Sequence, residues 1–249
     1  MKQRFTIKVF VAALLVIGPA IAIAQTTQRQ VQQTHSAITP VDREADWWQA
    51  HHEVINTRVA QGNVDLLFIG DSITQGWERN GKAVWDRHYA SRNAVNLGIS
   101  ADRTQHVLWR LDHGNIDGIS PKAAVIMIGT NNSNGQDNTV AEIADGIRAI
   151  VARLRTELPE TQILLLDIFP RGANPNPQRG KILQVNQIVR KVANHDKKVH
   201  YLAIGHHFVE DDGTISKAIM PDSLHVSPAG YQIWANAIEG ELRELLRPG

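Results

Sequence analysis

Leu66-Leu67-Phe68-Ile69-Gly70-Asp71-Ser72-Ile73-Thr74 begins as an unbroken apolar run and stops at a cluster of small polar residues. Bulky apolar residues without alternation are what a strand buried on both faces shows, and Gly-Asp-Ser at its end requires a sharp turn. A serine lifted off the end of such a strand lies where open α/β sheets hold their ligands, outside the carboxyl ends of the strands. Ser72 is therefore a candidate nucleophile, provided that the chain also supplies a base and an oxyanion site.

The same punctuation recurs on either side. Residues 94–97 form a short apolar strand ending at Gly98, and residues 123–128 a third strand ending at Gly129-Thr130-Asn131-Asn132. Residues 163–168 form a fourth, ending at Phe169-Pro170-Arg171-Gly172, and residues 199–204 a fifth. Between the strands, apolar residues recur at three- and four-residue steps. They predict helices over 41–61, from Asp102 or Thr104 to Gly114, and over 140–158, 178–192 and 227–246, the last with Pro228 in its first turn. Strands and helices that alternate, with the strands apolar throughout, indicate a parallel sheet covered on both faces. The fold class is α/β: one three-layer α/β/α domain over 41–249, without internal repeats.

At 249 residues, 43% hydrophobic and 20% charged, the chain suits a single globular domain with a substantial core. Its beginning has a different character. Lys2, Arg4 and Lys8 precede an apolar stretch over 9–23 that closes as Ala22-Ile23-Ala24, the pattern of a secretory signal peptide over 1–24, cut before Gln25. Gly18-Pro19 and a stretch of about 15 apolar residues, against roughly 20 for a span, argue against an uncleaved anchor. Residues 25–40 are rich in Gln and Thr, end at Pro40, and read as a flexible leader. The expected location is secreted or periplasmic. Removing the three signal cations from 26 Lys+Arg leaves 23 against 25 Asp+Glu, a net charge of −2. Nothing electrostatic favours a nucleic-acid partner, and with no cysteine there are neither disulfides nor thiolate chemistry. No other segment is apolar enough to span a bilayer.

A serine hydroxyl needs a base, and a histidine base needs a carboxylate on its other ring nitrogen. Asp222 and His225, three residues apart before the last helix, can supply both from one turn. The oxyanion needs hydrogen-bond donors, for which the candidates are the Asn131 side chain and the backbone N–H groups of Ser72 and Ala101. Taken singly, each residue has a plainer reading: Ser72 as a helix N-cap, Asn131-Asn132 as turn formers, Asp222 and His225 as caps of the last helix. Trp77, five residues past the serine, and Arg171 and Asn174, beyond the fourth strand, are candidate substrate contacts. Gly76-x-x-x-x-Gly81-Lys82 lacks the Ser/Thr of a phosphate loop, having Ala83 in its place. The pairs His51-His52 and His206-His207 lack metal-ligand spacing, so no metal site is assigned.

Gly70-Asp71-Ser72-Ile73, Asn131 within Gly129-Thr130-Asn131-Asn132, and Asp222-x-x-His225 resemble three of the four motif blocks of the SGNH (GDSL) hydrolases. Asn96-Leu97-Gly98-Ile99, Val107-Leu108-Trp109-Arg110-Leu111 and Pro170-Arg171-Gly172 extend the likeness to the branch of the platelet-activating factor acetylhydrolase Ib catalytic subunits, from about Trp48 to Leu246. The resemblance implies a five-stranded flavodoxin-like sheet in the order 2-1-3-4-5 and a serine esterase without metal or organic cofactor. It implies catalytic roles for Ser72, Asp222 and His225, an oxyanion role for Asn131, and possible homodimers. The sequence departs at the second block, where the backbone donor is usually glycine and here is Ala101; Gly98 is then a turn residue. Thr74 rules out a G-x-S-x-G elbow. The expected activity is hydrolysis of short acetyl esters through an acyl-enzyme on Ser72, on carbohydrate or similar small substrates. The alternatives are a phospholipid acetylhydrolase or lysophospholipase-type esterase, and an inactive carbohydrate-binding relative.

Overall fold

The computed structural model describes residues 34–247. The signal peptide expected over 1–24 and the first part of the leader lie outside them. Five parallel strands form one sheet: β1 (Leu66–Gly70), β2 (Ala94–Gly98), β3 (Ala123–Met127), β4 (Gln162–Leu166) and β5 (Val199–Leu202). Their order is β2-β1-β3-β4-β5, so the chain reverses direction across the sheet between β1 and β3. At that switch point the ends of neighbouring strands leave a crevice. Gly70, the last residue of β1, is in register with Gly98 of β2 and Met127 of β3.

The period of two within the strands sorts their side chains onto two cores. Leu67 and Ile69 face the layer made by α1 (Asp46–Ala60), α4 (Thr104–Leu111), α5 (Val140–Glu157) and α6 (Pro177–Val189). Leu66 and Phe68 face the layer of α2 (Ser72–Gln75), α3 (Lys82–His88) and α7 (Pro228–Leu245). Both faces are covered, which explains why the strands do not alternate. The caps match the local sequence. Thr139 Oγ1 accepts the Glu142 N–H, and the Glu142 carboxylate accepts the Thr139 N–H in return. Ser227 Oγ accepts the N–H of Gly230 at the start of α7, so Asp222 and His225 are not the caps of that helix.

Two expectations are corrected here. The leader predicted to run to residue 40 ends earlier, because residues 34–40 pack on the domain. Ala37 is fully buried, its carbonyl accepts Thr104 Oγ1–H at 2.8 Å, and Ser36 Oγ accepts from Asn138 at 2.9 Å. Nor does Asp102 cap α4. It is wholly buried, and the N–H of Arg103 is taken instead by His106 Nδ1 at 3.0 Å. No helix among the described residues is long and apolar enough to cross a membrane.

Candidate active site

The end of β1 sets the position of Ser72, the candidate nucleophile. Gly70 has no room for a side chain: a Cβ there would collide with the Met127 carbonyl and with Thr74 Oγ1. The chain then turns at once into α2, whose N-cap is Asp71 and whose first residue is Ser72. Asp71 Oδ1 accepts the N–H of Ile73 at 3.0 Å. Ser72 is thus freed from capping, and no group among the described residues accepts its own N–H.

Ser72 Oγ lies 2.9 Å from His225 Nε2, and His225 Nδ1 lies 2.6 Å from Asp222 Oδ2. The carboxylate at Nδ1 fixes the proton there, which leaves Nε2 to accept from the serine hydroxyl. Asp222 Oδ1 also accepts the backbone N–H groups of His225 at 2.7 Å and Leu224 at 3.0 Å. Burial pushes the Asp222 carboxyl up, but the hydrogen bonds from His225 and from these two N–H groups outweigh it and hold the group below the usual carboxylate range. Ser223, between the two, sits at φ +59°, the left-handed bend that lets one short loop aim both side chains. Asp222 and His225 remain open to solvent, and Ser72 is half-buried.

Asn131, just past β3, donates through Nδ2 to the Asp102 carbonyl at 2.9 Å, which leaves its second amide hydrogen free. Ala101 has φ +62°, the conformation in which a methyl side chain is strained, so the departure from glycine falls where it costs most. Its N–H is unclaimed among the described residues, and its carbonyl accepts from Arg43 at 2.9 Å. Gly98 is not a turn residue but the last residue of β2, and a Cβ there would strike the backbone of Gln75 in α2.

A buried ion pair that sequence reasoning missed holds these parts together. Asp102 accepts Trp48 Nε1–H at 2.6 Å and Arg110 Nε–H at 2.9 Å. Arg110 also donates to Asn115 and reaches the Gly70 carbonyl at 3.5 Å. One guanidinium therefore links the end of β1, just before Ser72, to the loop that carries Ala101 and whose Asp102 carbonyl holds Asn131. Asp71 is also wholly buried, and its Oδ2 has no partner among the described residues. Burial pushes its carboxyl up to about 7 against the hydrogen bond from Ile73, with the neighbouring Asp102 charge adding to the rise.

The three candidate substrate contacts fare differently. Trp77 is a core residue, 1% exposed and packed against Phe68, Tyr231 and Trp234, because 3₁₀ geometry after α2 turns it inward. Asn174 is exposed and gives its carbonyl to Asn176, and nothing brings it to the serine. Arg171 is half-buried and donates to Thr130 and Asn134, with its charge facing Asp71 and Asp222. It fastens the loops after β3 and β4 beside the triad. Among the described residues no cluster of three or more metal-ligating side chains occurs.

A cleft of about 380 Å³ opens beside the serine, lined by Ser72, His225, Gln75, Arg79, Asn80 and Tyr231 among others. Gln75 Oε1 accepts both the N–H and the hydroxyl of Ser100, at 2.9 and 2.6 Å. Arg79 and Gln75 had no distinguishing sequence signal, being polar residues on a short turn after the serine.

Comparison with known proteins follows the same lines. The model of the GDSL-like lipase/acylhydrolase family matches residues 68–233, more than half of the chain. The chain is 35% identical over 209 residues to the platelet-activating factor acetylhydrolase IB subunit alpha1 of Homo sapiens, covering 84% of this chain and 88% of the relative. It is 39% identical over 190 residues to the alpha2 subunit of Rattus norvegicus, covering 75% of this chain and 79% of the relative. A solved structure of a catalytic mutant of an acetylxylan esterase from Geobacillus stearothermophilus superposes with a TM-score of 0.57 at 22% identity, over 74% of this chain and 94% of that one. At that identity the likeness concerns the fold.

Proposed function

Since the chain belongs to the GDSL-like lipase/acylhydrolase family and is a carboxylic ester hydrolase, we propose that it removes short acyl groups, chiefly acetyl, from carbohydrate or similar small esters through an acyl-enzyme on Ser72. The observation that carries this reading is the unbroken chain from Ser72 Oγ through His225 to Asp222 at 2.9 and 2.6 Å. Ser72 Oγ attacks the ester carbonyl while His225 Nε2 takes its proton, and Asp222 stabilises the imidazolium that results. The second Asn131 amide hydrogen and the N–H groups of Ser72 and Ala101 are the donors for the tetrahedral oxyanion. His225 then returns the proton to the departing alcohol, and a water activated by the same histidine releases the acid.

Acetyl as the acyl group is supported by the acetylhydrolase names of relatives at 35–39% identity. Carbohydrate as the alcohol is supported by the exported character expected of the first 24 residues and by the sugar esterases among the structural neighbours. A phospholipid acetylhydrolase is the second reading, favoured by the names of the same relatives. Hydrolysis of 4-nitrophenyl acetate, with Ser72→Ala lowering turnover by about four orders of magnitude, tests the chemistry. Fluorophosphonate labelling that is lost in the same variant excludes an inert binding protein. Acetate release from acetylated xylan against an acetyl-phospholipid separates the two substrate readings. Export rests on the signal peptide: mature protein should begin at Gln25 when sequenced from the periplasm or medium. Homodimers would register in sedimentation as twice the chain mass.

A further inference from the structure

On the reading that Ser72 is the nucleophile of an ester hydrolase, we propose that Arg79 determines specificity by selecting esters whose alcohol part carries an anionic group, a carboxylate or a phosphate. Arg79 lines the same cleft as Ser72 and His225. At about 380 Å³ that cleft is in the size range of sites that hold whole small ligands, and an acetyl group fills little of it, so the alcohol must occupy the rest.

Each polar side chain on the cleft wall makes at least one hydrogen bond, with one exception. Gln75 is engaged by Ser100 and by His51, Asn80 Nδ2 by the Val226 carbonyl at 3.4 Å, and the Tyr231 hydroxyl by the Ile73 carbonyl at 2.5 Å. Ser72 and His225 hold each other. The Arg79 side chain makes no hydrogen bond or ion pair with any described residue, whereas Arg87 and Arg92 farther along pair with Gln232 and Glu239. Its backbone is tied down all the same. The N–H donates to the Gly76 carbonyl and the carbonyl accepts from Lys82, each at 3.0 Å, so the guanidinium hangs from a fixed point.

Glu78 next to it feels the Arg79 charge, but among the described residues no carboxylate forms an ion pair or hydrogen bond with the guanidinium. Asp222 is engaged by His225 and Leu224, and Glu78 lines a separate groove with Val54 and Lys82, its Oε1 3.8 Å from His51 Nε2. An unpaired guanidinium on the wall of a half-open cleft suits a planar carboxylate or a phosphate, which it can bind through two parallel N–H groups.

The test is steady-state kinetics of the full mature protein and of Arg79→Gln on three soluble acetyl esters: a neutral xylobiose, a galacturonate dimer and a glycerol 3-phosphate. Loss of a charge-assisted hydrogen bond predicts that the variant's kcat/KM on at least one anionic ester falls about tenfold more than on the neutral one, through KM. Arg79→Lys should recover part of the loss, and the wild-type preference should shrink in 0.5 M salt, roughly as screening predicts. The arm that loses more tells a sugar carboxylate from a phosphate. Equal losses on all three esters, or a wild type that prefers the neutral one, overturn the proposal. If the wild type still hydrolyses 4-nitrophenyl acetate in that case, only anion selection fails. A wild type inert to that ester and unlabelled by fluorophosphonate overturns the esterase reading and this inference with it.

Discussion

Ala101 shows how much can hang on one methyl group. At φ +62° an alanine is strained by about 1–2 kcal/mol, a cost that glycine avoids at the expense of a floppier unfolded chain. Ala101→Gly is therefore expected to gain up to about 1 kcal/mol, read as a higher midpoint in urea unfolding. Asn131 makes the complementary case. On the proposed oxyanion role, Asn131→Ala should lower kcat about 10²–10³-fold with little change in KM, measured on 4-nitrophenyl acetate. That Ser72, His225 and Asp222 come together was legible in the sequence, because their types, order and place after strands point to a mechanism. Trp77 was misread for a physical reason: its distance from the serine is the same whether the turn points it out or in, and only the 3₁₀ winding decides.

Among the elements, α4 does more than cover the sheet. It brings Arg110 under the end of β1, where the guanidinium meets Asp102 and the Gly70 carbonyl. Replacing one partner leaves a buried charge uncompensated, which typically costs 3–5 kcal/mol. Arg110→Met should therefore unfold at markedly lower urea, and among the molecules still folded kcat should fall further than KM rises, since Asn131 hangs from the Asp102 carbonyl. This clamp was hidden in the sequence. An aspartate just before an amphipathic helix is the usual N-cap pattern, and its true partners lie 54 residues upstream, in Trp48, and 8 residues downstream. The local hint was an arginine standing among Val107, Leu108 and Leu111 on the apolar face of α4.

For the molecule as a whole, two buried titrations pull stability in opposite directions. Folded protein keeps the Asp71 proton up to about pH 7, while an unfolded chain releases it near 3.8. The folded state thus binds the extra proton, and this contribution is lost as pH rises from about 4 to 7. Asp71→Asn should flatten that slope, seen as a smaller drop in urea midpoint between pH 5 and pH 8. His106 acts in the other sense. Burial first, then the charges of Arg43, Arg103 and Arg110, hold it down to about 4, so its contribution is present above 6.5 and lost as pH falls toward 4. His106→Gln keeps a side-chain acceptor for the Arg103 N–H and should remove that acid-side loss. The alternation of strands with helices made the layers readable, but helix ends less so: the helix predicted from 41 begins at Asp46, the one predicted to Gly114 ends at Leu111, and the one predicted to 192 ends at Val189. The packed segment 34–40 was not readable, because its burial rests on one small residue, Ala37, in a polar stretch.

The short loop that carries both Asp222 and His225 has one more consequence. It is solvent-exposed, bent at Ser223, and tied to the body by few bonds, among them Gly172 N–H to the Ser223 carbonyl at 2.7 Å. The residues proposed as base and orienting carboxylate therefore share one short exposed segment, apart from the sheet. Any excursion of the loop switches off both partners of Ser72 together, so warming should silence the enzyme several degrees before its secondary structure melts, and cooling should bring the activity back.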